Sequence, residues 1–357
     1  MSEKRLKGGR RLRRMAEQIV AAATIAPDAE IPAGRNRTGR SLLLPGVNTD
    51  RQSAYPAFWT RDPAWIAEGG LVNADDVWGW ATLLLETMRG DAPWHLPSGS
   101  VVLPYSIADH VNLDGTPVYY PGTYASDESQ GNLRFGKYPP HDDQYWPTFT
   151  TYAYVRLAHD AFPVDVDTGL CVTDVGAATY RSQAQRIRQS IPAVFAHRDA
   201  DGALWLRSAT GIGSKPDVWG TAYAVYSGAV GAGVARELAA SLLSGYRRGT
   251  TVQDGQVRHI PADHGYWERA AERGVYQNGG YWGYPVGWYV YALSLVDFDA
   301  AGDLFREYLR AVTSCWEEGF AHCAWECVNS EIGHAQNPGY AATVALPYVC
   351  LKEKGLL

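Results

Sequence analysis

Helical periodicity returns again and again along this chain, and long segments rich in glycine, proline, tyrosine and tryptophan separate one helical stretch from the next. Apolar residues spaced three and four apart mark helices at about 12–26, 63–71, 74–89, 143–160, 174–196, 217–230, 233–247, 283–297, 300–318 and 338–352. Asp174 and Asp217 stand where N-caps or first-turn acids belong, and Gly90, Gly231 and Gly319 where helices stop. Alternating β-type runs are few, and Ser100–Tyr105 and Thr251–Ile260 are candidate short hairpin strands inside loops. The loops at 27–62, 90–142, 197–217, 248–282 and 319–338 are longer than structureless loops in a compact domain usually are unless they carry a function. Each leads into a helix that opens with aromatic and acidic residues. The expected fold is therefore all-α, a helical toroid whose loops gather at one end and build a pocket. No charged or Ser/Gly linker divides the chain, so residues 1–357 are expected to form a single domain.

Composition narrows the partner. Thirteen Trp and 22 Tyr exceed what a core of this size needs, and many sit beside Gly, Pro, Asp and Asn rather than in apolar runs. Flat rings with one polar edge suit the C–H faces of sugar rings, which points to a small carbohydrate substrate. A net charge of −6 gives no reason to expect nucleic acid or an anionic membrane as partner. The five cysteines are odd in number and unevenly spaced, so no disulfide framework is expected. Cys315, Cys323 and Cys327 cluster near His322 and Glu326, but no Cys-x-x-Cys pair occurs, and neither a metal nor another cofactor is expected. Free thiols point to a reducing, cytoplasmic setting. The basic run Lys4 to Arg14 followed by Ile19–Ala26 imitates a secretory signal, yet Glu17 and Gln18 interrupt it, so an amphipathic first helix is expected.

The clusters that head the helices are Phe58-Trp59-Thr60-Arg61-Asp62, Pro140-His141-Asp142-Asp143-Gln144-Tyr145-Trp146, Lys215-Pro216-Asp217-Val218-Trp219-Gly220-Thr221, Gln277-Asn278-Gly279-Gly280-Tyr281-Trp282, and Trp325-Glu326 continuing to Gly339-Tyr340. In order and spacing they resemble the six-hairpin, or (α/α)6-barrel, glycosidases: glucoamylases, trehalases, processing α-glucosidases and the glucosidase domain of glycogen debranching enzymes. Trp59-Thr60-Arg61-Asp62 is similar to the Trp-x-Arg-Asp segment of glucoamylases, which implies that Arg61 and Asp62 hold hydroxyls of a terminal sugar in an exo-acting pocket. Asp142-Asp143-Gln144-Tyr145-Trp146 resembles the segment that bears the general acid in the trehalase and processing-glucosidase groups. Asp217-Val218-Trp219 falls where those families carry Asp-Leu-Asn, and the stretch from Gln277 to Trp288 resembles their Gly-Tyr-Trp-x-Gly-Pro loop. Glu326, followed by Gly333 and Tyr340-Ala341-Ala342, is similar to the general-base segment. The family spacing would place the acid at His141, so here the role shifts to Asp142 or Asp143, and the family's Ser before the final Ala pair is missing.

Glycoside hydrolysis needs two carboxyl groups on opposite sides of the scissile bond, one protonated to donate to the leaving oxygen and one ionised to activate water or attack carbon. The expected pair is Asp142 or Asp143 as acid and Glu326 as base, with Glu331 the reserve base. Consecutive helical side chains diverge by about 100°, so one of the two aspartates is expected to face the pocket. Trp59, Trp146, Trp282 and Trp288 are the expected sugar platforms, and Asp217, Gln277, Asn278 and Tyr281 the remaining substrate-binding residues. Three other readings compete. A sugar epimerase or isomerase on the same toroid would use His141 with His264 or His334; a polysaccharide lyase would want a basic groove; a binding protein would keep the aromatics without turnover.

Overall fold

Leu12, Met15, Ala16, Ile19, Val20 and Ala23 recur at helical spacing and are all buried, while Arg10, Arg11, Arg13 and Arg14 face outward, so α1 (Gly9–Ala23) is the amphipathic helix its sequence foretells. The computed structural model of the protein describes residues 5–47, 56–67, 69–96, 101–119, 129–130, 133–134, 177–211, 214–267, 272–314, 316 and 323–357. Contacts divide the chain into two compact units, one of residues 17–162 and one of residues 1–16 with 163–357.

In the 17–162 unit, α2 (Arg61–Ala67) follows strand β1 (Ala57–Trp59), and α3 (Ala74–Glu86) starts at Asn73, whose side chain accepts from the Asp76 N–H at 2.8 Å. Trp80 of α3 is fully buried and donates its indole N–H to the Ser41 carbonyl at 2.9 Å. β1 pairs antiparallel with β2 (His110–Asn112), and β2 with β3 (Pro117–Val118), in a register that sets Trp59 opposite His110.

The other unit carries α4 (Ala177–Phe195), α5 (Val218–Tyr226), α6 (Ala232–Arg247), α7 (Val286–Ser294), α8 (Phe298–Thr313) and α9 (Ala341–Glu353). α7 and α9 are buried on nearly every side, whereas α6 and α8 bury one stripe and expose the other. α7 packs on α5, α6, α8 and α9, which makes it an inner helix served by outer ones. Buried phenols pin these helices together. Tyr289 donates to the Leu242 carbonyl at 2.6 Å and lies 2.7 Å from the Thr251 hydroxyl, while Tyr308 donates to the Thr343 carbonyl at 2.7 Å.

Strands β4 (Val252–Gln253), β5 (Gln256–Arg258), β6 (Tyr281–Trp282), β7 (Cys327–Asn329) and β8 (His334–Gln336) form one antiparallel sheet in chain order. The register sets Val257 opposite Trp282, Arg258 opposite Tyr281, Tyr281 opposite Val328 and Cys327 opposite Gln336. Asp254 and Gly255 both have positive φ, 49° and 72°, and form the two-residue turn between β4 and β5. A Cβ at Gly255 would overlap the Tyr308 backbone, so glycine is required there twice over.

These sheets correct the all-α expectation: among the described residues helices are joined by loops that pair with one another as strands. Backbone polar groups in a loop that returns over a buried core must find partners, and neighbouring loops supply them as strands. The helical stretches expected on either side of Gly231 are present, but Gly231 is the N-cap of α6 rather than a stop, since α5 already ends at Tyr226. The expected 143–160 helix, Asp174 and Gly319 lie outside the described residues. No helix among the described residues is long and apolar enough to cross a membrane.

Candidate active site

Glu326 stands immediately before β7 and is 1% exposed. Its backbone N–H is shared between the carbonyls of Gln336 and Asn337, at 3.2 and 3.0 Å. From the same returning segment the Gln336 amide donates to Glu326 Oε2 at 3.0 Å, and the Asn337 amide donates to it at 2.5 Å. The preceding residue is anchored on α9, where the Thr343 hydroxyl donates to the Trp325 carbonyl at 2.8 Å. A buried carboxylate held by two carboxamide donors is oriented by its surroundings rather than by solvent. Its neighbour Cys327 reports the environment: burial, and then the Glu326 charge, push its thiol up to about 12. Glu331, the reserve base, is exposed on the Ser330–Ile332 turn.

Asp217 is the N-cap of α5 and accepts from the Gly220 N–H at 2.8 Å, as a short acidic side chain before an apolar helix should. Its Oδ1 also lies 3.3 Å from His259 Nε2. Burial alone would raise the Asp217 pKa, but His259 and the N–H groups of Gly220 and Trp219 outweigh it and hold the carboxyl below its ordinary value. The His259 ring lies flat on Trp219, centroids 4.3 Å apart at 15°. Trp219 meets the edges of Trp282 and Tyr284 at 5.5 and 5.0 Å, and Tyr284 meets Trp288 at 5.6 Å. Trp282 also meets Tyr276 at 5.0 Å, and the Tyr276 carbonyl accepts from the Cys327 thiol at 3.8 Å. An unbroken run of contacts thus connects Asp217 to the residue beside Glu326.

The segment from Gln277 to Trp282 runs between these two groups. Asn278 is 2% exposed and spends both ends of its amide on the Trp267 backbone, accepting from its N–H at 2.6 Å and donating to its carbonyl at 3.3 Å. Gly280 must be glycine, because a Cβ there would overlap Cys327 Sγ and sit 2.7 Å from the Tyr276 carbonyl oxygen. Tyr281 and Trp282 are each 2% exposed and Trp288 is 4% exposed, so Trp282 and Trp288 are walls of the aromatic cluster. Tyr223, Tyr276 and Tyr284 in the same cluster are half-buried, as is Gln277.

In the 17–162 unit Trp59 stacks on His110, centroids 4.2 Å apart at 24°, and His110 Nδ1 is 2.8 Å from the Asp109 carboxylate. Arg61 and Asp62 open α2 and are half-buried. His141, Asp142, Asp143 and Trp146 lie outside the described residues. The histidines invoked for an isomerase are engaged locally: His264 Nδ1 lies 3.0 Å from Asp263, and His334 Nε2 lies 3.0 Å from the Gln336 side chain. Sequence reasoning missed His259, Gln336, Asn337, Asp109 and His110. The adjacent Asp109-His110 pair was open to notice, but Gln336 and Asn337 carry no local signal, since their role depends on how β8 returns against β7.

No family model and no curated protein matches the chain. Among solved structures, a glycosidase with a glutamate-to-alanine substitution is similar over 98% of this chain and 97% of its own, at 15% identity and a TM-score of 0.50. Two further glycosidase structures, one a tyrosine-to-phenylalanine variant and one a glutamate-to-alanine variant in complex with glucose, are each 16% identical over the same shares, with TM-scores of 0.49. The chain shares a glycosidase fold.

Proposed function

We propose that this chain is an exo-acting, inverting glycoside hydrolase that cleaves a short glycoside or oligosaccharide, built as a six-hairpin (α/α)6 toroid and working in the cytoplasm without a resident cofactor. The observation that carries this reading is Glu326, a buried carboxylate oriented by Gln336 and Asn337 and linked by contact to the aromatic cluster around Trp219 and Trp282. Inner helices α7 and α9 served by outer α8 and α6 are the layering that a toroid of helical hairpins requires.

In this proposal Glu326 is the general base. Its ionised carboxylate takes a proton from water, the water oxygen attacks the anomeric carbon, and the glycosidic bond breaks. The second carboxyl group, Asp142 or Asp143, gives its proton to the departing oxygen. Inversion needs the two carboxyls about 6.5–9.5 Å apart, which leaves room for that water. The half-buried rings Tyr223, Tyr276 and Tyr284 offer apolar faces to the sugar, and Gln277 a carboxamide for its hydroxyls.

The test is a screen of aryl glycosides and disaccharides with NMR of the first-formed anomer, repeated with Glu326→Gln. Release of the inverted anomer by the native protein, with kcat reduced by about 10²–10⁴ in the variant and sugar binding retained, is the expected result. Sugar bound but never cleaved by the native protein would reject the hydrolase and leave a binding protein; conversion with conserved sugar mass would indicate an isomerase.

A further inference from the structure

Arg258 is 3% exposed, and no carboxylate among the described residues forms an ion pair with it. Its Nη2 donates to the Gly265 carbonyl at 3.1 Å, its guanidinium lies 4.8 Å from the Tyr266 ring, and its buried Nε–H meets no acceptor among the described residues. Burying a permanent cation without a counter-charge costs far more free energy than one carbonyl, one phenol and one ring return, and a buried donor without an acceptor adds to the deficit. Such a group is a poor structural element and a good receptor.

A phenol, a second guanidinium and a glycine stand around it. Arg258 stands opposite Tyr281 in the sheet and interacts with its phenol; burial raises the Tyr281 pKa, and Arg258 pulls it back. Arg273, exposed, also lies over the Tyr266 ring, 5.6 Å from its centroid, so one tyrosine contacts two guanidinium groups. Gly279 packs directly against these groups, for a Cβ there would come within 2.7 Å of Tyr266 and 3.2 Å of Arg258 Nη2, so only glycine fits beside the guanidinium. The Glu331 charge also raises the Tyr281 phenol pKa, and Glu331 makes no ion pair with Arg258. Tyr281 in turn pairs with Val328, two residues beyond Glu326.

We propose that Arg258, with Arg273 and the Tyr281 hydroxyl, receives an anionic substituent of the sugar, so that the substrate is a glycoside carrying a carboxylate or a phosphate rather than a neutral one. The planar guanidinium fork matches either group, and the small exposed fraction of Arg258 admits only a compact anion. The inference rests on the hydrolase reading for the presence of a sugar beside β6 and β7, but its test does not depend on turnover.

Calorimetry with glucuronate, glucose 6-phosphate and glucose is the experiment. The native protein is expected to bind one of the two anionic sugars about tenfold or more tightly than glucose, a difference of ~1.4 kcal/mol or more. Which one binds decides between carboxylate and phosphate. Arg258→Gln should erase the preference. Should that variant fail to fold, Arg273→Gln, changed at an exposed position, should narrow the preference several-fold and make it less sensitive to salt. Equal or weaker binding of both anionic sugars by the native protein overturns the proposal, as does a preference untouched in Arg273→Gln when Arg258→Gln cannot be purified, or untouched in Arg258→Gln when it can. Turnover of neutral aryl glycosides without any anionic preference would sink this inference and leave the hydrolase standing; an anionic preference with no turnover on any glycoside would do the reverse.

Discussion

Asn337 donates its side-chain amide to Glu326 Oε2 at 2.5 Å from a backbone held at φ 49°, a left-handed conformation that asparagine tolerates better than most side chains. One residue thus meets two demands, a sharp reversal of the chain after β8 and a donor aimed at a buried carboxylate. Asn337→Gly keeps the turn and loses the donor; Asn337→Ala loses both. A hydrogen bond to a charged group is worth about 1.5–3 kcal/mol. Asn337→Gly is expected to lower kcat/KM by about tenfold or more, and Asn337→Ala to match that loss while unfolding at lower urea by a further ~1–2 kcal/mol. Equal urea midpoints for the two variants would mean the left-handed turn carries no strain.

Asp217 makes stability depend on acid. Its folded pKa lies below the ordinary 3.8, so it contributes stability that is fully present above that value and is lost as pH falls through the depressed folded pKa. Asp217→Asn keeps a capping oxygen for Gly220 but not the charge facing His259. Urea unfolding of both proteins across the acid range should show the native chain the more stable of the two above pH ~5, with the gap closing toward the acid end. A gap that stays constant down the whole range would remove the linkage.

Gly280 is expected to tolerate no side chain. Alanine there meets Cys327 Sγ and the Tyr276 carbonyl, and forcing extra atoms into a packed site costs about 1–3 kcal/mol or more. Combining Gly280→Ala with Cys327→Ala removes the sulfur but not the carbonyl, so thermal denaturation should show partial recovery relative to Gly280→Ala alone. Complete recovery would locate the whole clash at the thiol.

Cys327 is fully buried with its thiol pushed up to about 12, so at pH ~8 almost none of it is thiolate. Iodoacetamide at that pH should leave Cys327 unmodified in the folded protein and label it once urea unfolds the chain, as peptide mass spectrometry would show. Rapid labelling of the folded protein would mean that the β6–β7 region opens readily.

Much of the helical framework was legible because helix formation is written locally. The apolar spacing of Leu12, Met15, Ile19 and Val20 specifies the buried face of α1, and Asp217 ahead of an apolar run specifies the start of α5. The Asp254-Gly255 hairpin was readable for the same reason, since that dipeptide favours the mirror-image turn a strand pair needs. The five-stranded sheet was not readable as a unit. β6 offers only Tyr281 and Trp282, too short a run to show alternation, and its partners lie 23 residues before Tyr281 at Arg258 and 47 residues after it at Val328.

The same division runs through the site. Residue types at loop–helix junctions, together with the family resemblance, singled out Glu326, Asp217 and the Asn-Gly-Gly-Tyr-Trp run, because carboxylates, glycines and aromatics in such places stand out along the chain. Which ring faces a ligand, and which amide orients which acid, depended on groups that meet only after folding. Trp282 became a wall because Trp219, Tyr276 and Tyr284 surround it, Asn278 a clasp because Trp267 passes beside it, and Gln336 and Asn337 partners of Glu326 because β8 turns back along β7. Local propensity is a property of neighbours in the chain and survives in the sequence as a pattern; burial and hydrogen-bond partnership are properties of neighbours in space, and the tertiary packing decides them.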